Sequence, residues 1–237
     1  MDYDKLFKSD GVQAVASQIC ELARECWVLQ LSDSTGFSIS CDVGDNIVIS
    51  DKTGTGFRRN RITPSDLIMI DLDANFIYSP DQSDTRKAPV NVVIHLEGFK
   101  KSDARACIHW HDPYTNAFTC LGKTIKPFTL QSKLIGDVEC IVVDDREEKE
   151  AHLKEITQLI VPTGLHCRQD VYFIMKKVGI AMRRVLERRN EEFDKHGIVS
   201  THFEHGLFSF GRNLGEAFDN GYRSVRNAQA IIYSRLL

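Results

Sequence analysis

Hydrophobic and polar residues alternate along the chain with two different spacings, one typical of helices and one typical of strands. Apolar residues recur every three to four positions in the longer segments, and short β-branched or aromatic runs lie between them. The predicted helices are 11–29, Asn91–Lys100, Tyr114–Leu121, Glu147–Ile160, 169–195 and Leu214–Tyr233. The predicted strands are Phe37–Cys41, Asn46–Ser50, Leu67–Leu72, Ala106–His111, Cys140–Val143, Ile198–Phe203 and Leu207–Phe210. Helices and strands thus intermix, and no repeat or shift in composition divides the chain, so the pattern predicts one α/β domain over residues 1–237.

Composition and charge narrow the function classes. Hydrophobic residues make up 42% of the chain and charged residues 27%, which is typical of a globular protein. A net charge of −3 and a pI near 6.2 do not favour binding to nucleic acid or to an anionic membrane. The seven cysteines are scattered without a CxxC motif, and the chain has neither a membrane-length apolar run nor the order of a signal peptide. We therefore expect a cytoplasmic protein with reduced thiols that acts on a small molecule.

The motif His109-Trp110-His111 is the clearest candidate for chemistry. The preceding run Ala106–Ile108 predicts a strand, in which residues i and i+2 lie on one face about 6.5–7 Å apart. Two imidazoles leaning inward from such positions can reach one metal ion at about 2.0–2.1 Å each. A third ligand must come from elsewhere, and His205 is the best placed because Gly206 allows close approach or a positive φ. The motif predicts a metal site, although the spacing alone also fits a hydrogen-bonded pair of histidines.

Two further residues near this motif are expected to be structural. His95 lies in a predicted helix, where packing and hydrogen bonds usually satisfy a histidine. Cys107 shares the strand face of both motif histidines, but it lies too far from His111 to join the same ion, and we assign it to the core.

Four motifs occur in a fixed order along the chain. They are Ile62-Thr63-Pro64-Ser65, Val93-Ile94-His95, the run Asp103–Phe118, and Glu204-His205-Gly206-Leu207 followed by Gly211–Phe218. Together they resemble the class II aldolase/adducin family in the family's order, and the resemblance covers roughly residues 10–235. The resemblance implies a three-layer α/β/α fold with a central, mainly antiparallel sheet, commonly in a homotetramer with active sites between subunits. It also implies that His109, His111 and His205 bind one divalent ion.

The same resemblance implies what the ion does. Family enzymes use it as a Lewis acid that chelates a carbonyl and a neighbouring hydroxyl or carboxylate of the substrate and so stabilises an enediolate. Zinc is the expected ion, with Fe(II) and manganese as alternatives, because three imidazoles do not separate zinc from iron. A set of only three histidines leaves coordination positions open for substrate, as a catalytic site requires.

The chain departs from the family at the position of its catalytic glutamate. Aligned on His95, that position is occupied by Asn91. An amide has no pKa near neutrality and cannot act as the base, but it can hydrogen-bond a substrate oxygen or a metal-bound water. Glu204 and Glu97 are the nearby carboxylates, and neither is expected to replace the base, because glutamates usually lie at the surface.

The phosphate-binding motifs of the family are altered as well. Their places read Phe37–Ser40, Thr63–Asp66 and Pro89-Val90, so the glycines that allow close approach of backbone N–H groups are missing. Asp66 adds a negative charge where a phosphate is expected, and we therefore predict a non-phosphorylated substrate. The candidate substrate-binding residues are Ser38, Thr63 and Ser65, whose alternative role is in turns and caps.

These features favour a metal-dependent lyase that acts on a small hydroxy-carbonyl or carboxylate substrate by aldol cleavage or decarboxylation. Decarboxylation suits Asn91 better, because loss of CO₂ requires an electron sink but no initial proton abstraction. The alternatives are a non-haem Fe(II) oxygenase, an epimerase or isomerase, and a non-catalytic scaffold like the adducin head domains, which lack the complete histidine set. Residues 187–197 extend the helical part of the chain beyond the family core, and they either cover the site or enlarge an interface.

Overall fold

A central mixed sheet of eight strands organises the computed structural model, which describes residues 1–32, 37–54, 60–143 and 153–237. The strands are β1 (Phe37–Asp42), β2 (Ile47–Asp51), β3 (Leu67–Asp71), β4 (Phe76–Tyr78), β5 (Ala106–Trp110), β6 (Glu139–Ile141), β7 (Ile198–His202) and β8 (Gly206–Gly211). Their order is β4-β3-β2-β1-β5-β8-β7-β6, and every neighbouring pair is antiparallel except β6 and β7. The central, mainly antiparallel sheet implied by the resemblance is confirmed.

Helices cover both faces of this sheet. They are α1 (Tyr3–Phe7), α2 (Asp10–Val28), α3 (Val92–Phe99), α4 (Pro113–Thr119), α5 (Leu153–Gln158), α6 (Gln169–Arg188) and α7 (Leu214–Ser234). Helices α2 and α7 pack in the apolar cluster on one face, and α3 and α6 pack in the cluster on the other. The result is the expected three-layer α/β/α arrangement. No helix within the described ranges is long and apolar enough to cross a membrane.

The central strand β5 contributes side chains to both clusters. Ala106, Ile108 and Trp110 pack with α2 and α7, whereas Cys107 packs with α3 and α6. Because side chains alternate along a strand, His109 shares the face of Cys107 and points toward the layer of α3 and α6. Burial raises the pKa of the Cys107 thiol well above its ordinary value, and the residue belongs to the core as predicted. Burial on both faces explains why this strand reads as an unbroken apolar run before the histidine motif.

The structure corrects the bounds of two predicted helices. The helix predicted over 169–195 ends at Arg188, and Asn190–Asp194 form a 3₁₀ turn instead. The side chain of Asn190 exchanges two hydrogen bonds with Asp103, of 2.7 and 2.9 Å, and so fixes the direction of the chain there. The helix predicted over Glu147–Ile160 is described only as α5, and its first part lies outside the described residues.

The predicted extension 187–197 is packed against the core rather than separate from it. Phe193 is 1% exposed and belongs to the apolar cluster of α3 and α6. The segment ends immediately before β7, whose first residue is Ile198 and whose last residue is His202. A five-residue strand spans about 14–17 Å, so this segment lies at the opposite edge of the sheet from His202.

Candidate metal centre

The two motif histidines lie at the end of the central strand β5. His109 pairs with Ser38 of β1 on one side and with Phe208 of β8 on the other, and it is fully buried. His111 follows the strand and is half-buried, and its backbone N–H donates a hydrogen bond to Ser32 Oγ at 3.3 Å. The strand spacing predicted from the motif therefore brings both imidazoles to the same edge of the sheet.

The β7–β8 hairpin brings the third histidine to this edge. His202 pairs with Gly206, so Phe203, Glu204 and His205 form the loop, with Glu204 at φ 52°. A Cβ on Gly206 would lie 2.5 Å from His111 Cδ2. The close approach predicted for Gly206 is thus present, whereas the positive φ of the turn is found at Glu204.

The three imidazoles form a nearly equilateral cluster. The ring centroids of His109 and His111 are 4.8 Å apart, and each lies 4.9 Å from the ring of His205. The candidate ligand atoms of the three side chains all lie within 4.8 Å of one another. Imidazole nitrogens that converge in this way match the donor set of zinc and of other divalent transition metals.

His109 presents Nε2 as an unused acceptor. Its Nδ1 donates a hydrogen bond to the carbonyl oxygen of Leu207 at 2.9 Å, because a carbonyl can only accept. The lone pair is therefore on Nε2, which is buried and has no hydrogen-bond partner among the described residues. Burial, reinforced by the nearby His111 and His205, lowers the pKa of His109 well below its ordinary value. A neutral, buried imidazole with an unused acceptor fits a metal ligand, since leaving that acceptor unpaired costs about 1–3 kcal/mol.

His95 is a satisfied core histidine, as predicted. Its Nδ1 lies 2.8 Å from Ser40 Oγ and its Nε2 lies 3.2 Å from Ser38 Oγ. Burial lowers the pKa of His95 to about 3, so the ring is neutral at physiological pH. Ser38, a predicted substrate-binding residue, is adjacent to His109 in register, but it is fully buried and its hydroxyl contacts His95.

The structure does not bring Thr63 and Ser65 to the histidines. They precede β3, which is three strand positions, or about 14 Å, from β5. Thr63 Oγ1 contacts Asp66 Oδ2 at 3.0 Å and Ser65 Oγ at 2.7 Å, in a capping box before the strand. Arg86 binds the Asp66 carboxylate at 2.8 Å, so Asp66 does not present the unpaired negative charge expected from the sequence. The hydrogen bonds of this turn support the capping role.

Asn91 lies on the side of the sheet that carries His109. It is the half-buried N-cap residue of α3, and this helix packs in the apolar cluster on that face. Asn91 precedes His95 by one helical turn, so both residues lie on the same face of α3. The imidazole of His95 contacts β1 next to His109, which places the beginning of α3 near the same edge of the sheet.

Glu97 is not the surface carboxylate expected from the sequence. It is 2% exposed and binds Lys176, Arg183 and Lys100 at 2.5, 2.8 and 3.1 Å. Burial alone raises the pKa of Glu97, but the ion pairs with Lys176 and Lys100 outweigh burial and lower the pKa below its ordinary value. Glu97 therefore joins α3 to α6 and is a poor base, whereas Glu204 is exposed as expected.

A fourth histidine that the sequence pattern does not single out lies at this edge. His202, the last residue of β7, is 5% exposed, and its Nδ1 lies 3.2 Å from Nδ1 of His205. The available signal is the alternation along β7, which points His202 to one face of the sheet, together with its position three residues before His205.

Comparisons with known proteins identify the family of this chain. The sequence model described as "Class II Aldolase and Adducin N-terminal domain" matches residues 17–232. A methylthioribulose-1-phosphate dehydratase of Komagataella phaffii is 28% identical over 160 residues, which are 67% of this chain and 61% of that protein. The enzyme of the same name from Xenopus tropicalis is 33% identical over 93 residues, 39% of this chain and 38% of that protein. The chain thus spans less than two thirds of the length of these relatives.

A solved structure shares the whole fold. The L-fuculose-1-phosphate aldolase of Thermus thermophilus has a TM-score of 0.64 and 18% sequence identity, over 94% of this chain and 94% of that one. At this identity the likeness shows the fold alone.

Proposed function

The chain belongs to the class II aldolase and adducin family, and from that premise we propose that it is a metal-dependent lyase whose ion is held by His109, His111 and His205. The observation that carries the proposal is the buried Nε2 of His109, which has no hydrogen-bond partner in the described part of the chain, in a ring that lies 4.8 and 4.9 Å from the two other imidazoles. Zinc is the proposed ion, with Fe(II) and manganese as the alternatives.

The substrate of this proposal is a small hydroxy-carbonyl or carboxylate compound. His109, His111 and His205 would hold a divalent ion, which would supply a Lewis acid for a carbonyl oxygen and for the negative charge that develops on it. His109 keeps its orientation through the hydrogen bond to Leu207, and the stacking of Phe208 on its ring at 4.1 Å excludes water from that side.

Decarboxylation is the reaction that these residues support better than aldol cleavage. Asn91 occupies the position of the family's glutamate, and its amide can hydrogen-bond a substrate oxygen but cannot accept a proton. Glu97 cannot take over that role, because its carboxylate is bound by Lys176 and Arg183 of α6 and by Lys100 at the end of α3. Loss of CO₂ needs no base in its first step, whereas cleavage of an aldol begins with removal of a hydroxyl proton.

We propose that the substrate lacks a phosphate group, although one of the reasons given by the sequence, the charge of Asp66, no longer holds. Because Arg86 binds Asp66, the charge of Asp66 no longer argues against a phosphate. Two changes still favour a substrate without phosphate: glycine is replaced at Phe37 and Asp66, and the serine pair is replaced by Pro89-Val90. The named relatives take sugar phosphates, so a ribulose 1-phosphate is the decisive comparison substrate, and its efficient turnover would overturn this part of the proposal.

The site assignment is tested by metal analysis. We expect the protein, purified without chelator or nickel affinity resin, to contain one equivalent of zinc, and His109→Ala to contain little. His166→Ala is the matched control, because His166 is exposed and separate from the cluster. Unchanged metal content in His109→Ala would show that the assignment is wrong. Iron retained only in anaerobic preparations would favour an oxygenase, and no metal in either preparation would favour a scaffold.

A further inference from the structure

The hairpin that carries His205 holds a second histidine whose ring faces away from solvent. His202 and His205 are joined at the backbone, where the N–H of His205 donates to the carbonyl of His202 at 3.0 Å. Their rings are 5.4 Å apart at an interplanar angle of 77°, and their Nδ1 atoms are 3.2 Å apart. Two ring nitrogens at this distance share one hydrogen bond, with the proton on one of them.

The direction of this hydrogen bond follows from the metal site. Nδ1 of His205 is hydrogen-bonded to Nδ1 of His202, so the nitrogen that His205 can offer to an ion is Nε2. A neutral imidazole that binds an ion through Nε2 carries its proton on Nδ1 and donates from there. The Nδ1 of His202 is then the acceptor, and His202 is the neutral tautomer with its proton on Nε2.

We propose that His202 is a positioning residue, which accepts the Nδ1 proton of His205 and fixes the tautomer and ring orientation of this metal ligand. The proposal rests on the proposed function, because it takes His205 as a ligand. His109 follows the same pattern, with Nδ1 donating to the Leu207 carbonyl and Nε2 left for the ion. Partners of this kind orient ligands and make them more basic, and their removal typically weakens metal binding about 10–100-fold.

The chemical nature of His202, as the hydrogen-bond partner of His205, matters for the lyase chemistry. A carboxylate in this place would add negative charge to the ligand shell, whereas a neutral imidazole orients His205 without adding charge. The ion therefore keeps more of its Lewis acidity, which the polarisation of a substrate carbonyl requires. The buried position of His202, at 5% exposure, keeps water from replacing it as the acceptor.

Two substitutions separate the hydrogen bond from packing. His202→Phe keeps a ring of similar size and removes the acceptor, and His202→Asn keeps an acceptor, since its Oδ1 takes the place of the imidazole Nδ1. We expect His202→Phe to bind Zn(II) about 10–100-fold more weakly than the unaltered protein, and His202→Asn to remain within a few-fold of it. The measurement is competition with a chromophoric chelator on metal-free protein, together with the visible spectrum of the Co(II)-loaded forms.

The controls make each outcome decisive. His166→Phe introduces the same change at an exposed histidine and should leave Zn(II) affinity and the Co(II) spectrum unaltered. The circular dichroism of metal-free His202→Phe shows whether the variant folds. If folded His202→Phe binds Zn(II) like the unaltered protein, or if His202→Asn is as weak as His202→Phe, the positioning role is wrong. Failure of the unaltered protein to bind a metal would instead overturn the proposed function.

Discussion

A single glycine sets how closely the histidines can converge. A Cβ at position 206 would lie 2.5 Å from His111 Cδ2 and 2.7 Å from the carbonyl oxygen of Trp110. Because the second contact is with backbone, the hairpin and β5 would have to separate. We predict that Gly206→Ala lowers the free energy of unfolding by about 1–3 kcal/mol, as other overpacked sites do, and weakens zinc binding at least tenfold. Denaturant unfolding of metal-free protein and chelator competition measure the two effects independently.

The matched control for this substitution is Gly11→Ala in α2. A Cβ at position 11 meets nothing within 4 Å, so alanine should leave zinc affinity unchanged and stabilise the helix by about 0.5–1 kcal/mol. Wild-type zinc affinity in Gly206→Ala would mean that the hairpin can move away from β5 without opening the cluster.

At the scale of residues, local spacing predicts only part of the site. The i, i+2 spacing places His109 and His111 on one strand face because the pleat of a strand repeats every two residues. That His205 meets them depends on β8 lying beside β5, a long-range pairing that no local pattern contains. His202 and the burial of Glu97 were missed for the same reason, since each depends on a neighbour distant in sequence or across a hairpin.

At the scale of elements, Glu97 holds α3 against α6. Its buried carboxylate binds Lys176, Arg183 and Lys100, and the Cβ of an alanine at Gly179 would lie 2.9 Å from its Cγ. We predict that Glu97→Gln, which keeps the shape and removes the charge, lowers the free energy of unfolding by about 2 kcal/mol, less than for a fully buried pair because the cations are partly exposed. Metal content should not change, which distinguishes a helix clamp from a metal-binding carboxylate. Glu204→Gln, at an exposed position, is the control for the loss of charge.

The same carboxylate predicts how stability depends on pH. The ion pairs hold the pKa of Glu97 below its value of about 4.5 in the unfolded chain. A depressed pKa stabilises the folded state above pH 4.5, and this contribution is lost as the pH falls through the lower folded value. The free energy of unfolding of metal-free protein should therefore decrease less between pH 5 and pH 3 in Glu97→Gln than in the unaltered chain. Parallel pH curves for the two proteins would contradict this assignment.

The elements themselves were largely predictable, and the exceptions have local causes. Strands β1, β2, β3, β5, β7 and β8 lie close to their predicted bounds, because each carries a continuous apolar or alternating run. The short β4 was not predicted, since Phe76–Tyr78 are paired only with one neighbour and are partly exposed. Phe193 continues the apolar spacing of α6 past its end. The helix stops where the side chain of Asn190 donates a hydrogen bond to the Asp103 carboxylate and accepts one from the Asp103 backbone N–H.

At the scale of the molecule, the candidate site borders an apolar surface. The chain from 121 to 142 connects α4 with β6. Helix α4 begins two residues after His111, and β6 pairs with β7, which ends at His202. Five large apolar side chains of this segment are 56–73% exposed: Leu121, Phe128, Leu130, Leu134 and Val142. Exposed apolar side chains concentrated beside a site are typical of a subunit contact. This surface supports the proposal of a homotetramer with its sites near subunit boundaries.

We predict that Leu130→Asp dissociates this assembly. A charge at the most exposed of these positions, 73%, would be buried without a partner in the interface, while the isolated subunit would tolerate it. Light scattering after size exclusion should give about four times the 26.9 kDa chain mass for the unaltered protein and a smaller species for the variant. Val28→Asp, equally exposed at the end of α2, should leave the mass unchanged. The Leu130→Asp variant should also lose turnover while it retains its metal, because the three histidines belong to one chain. If the unaltered protein is a monomer at micromolar concentration, both the assembly and the role of this surface are wrong.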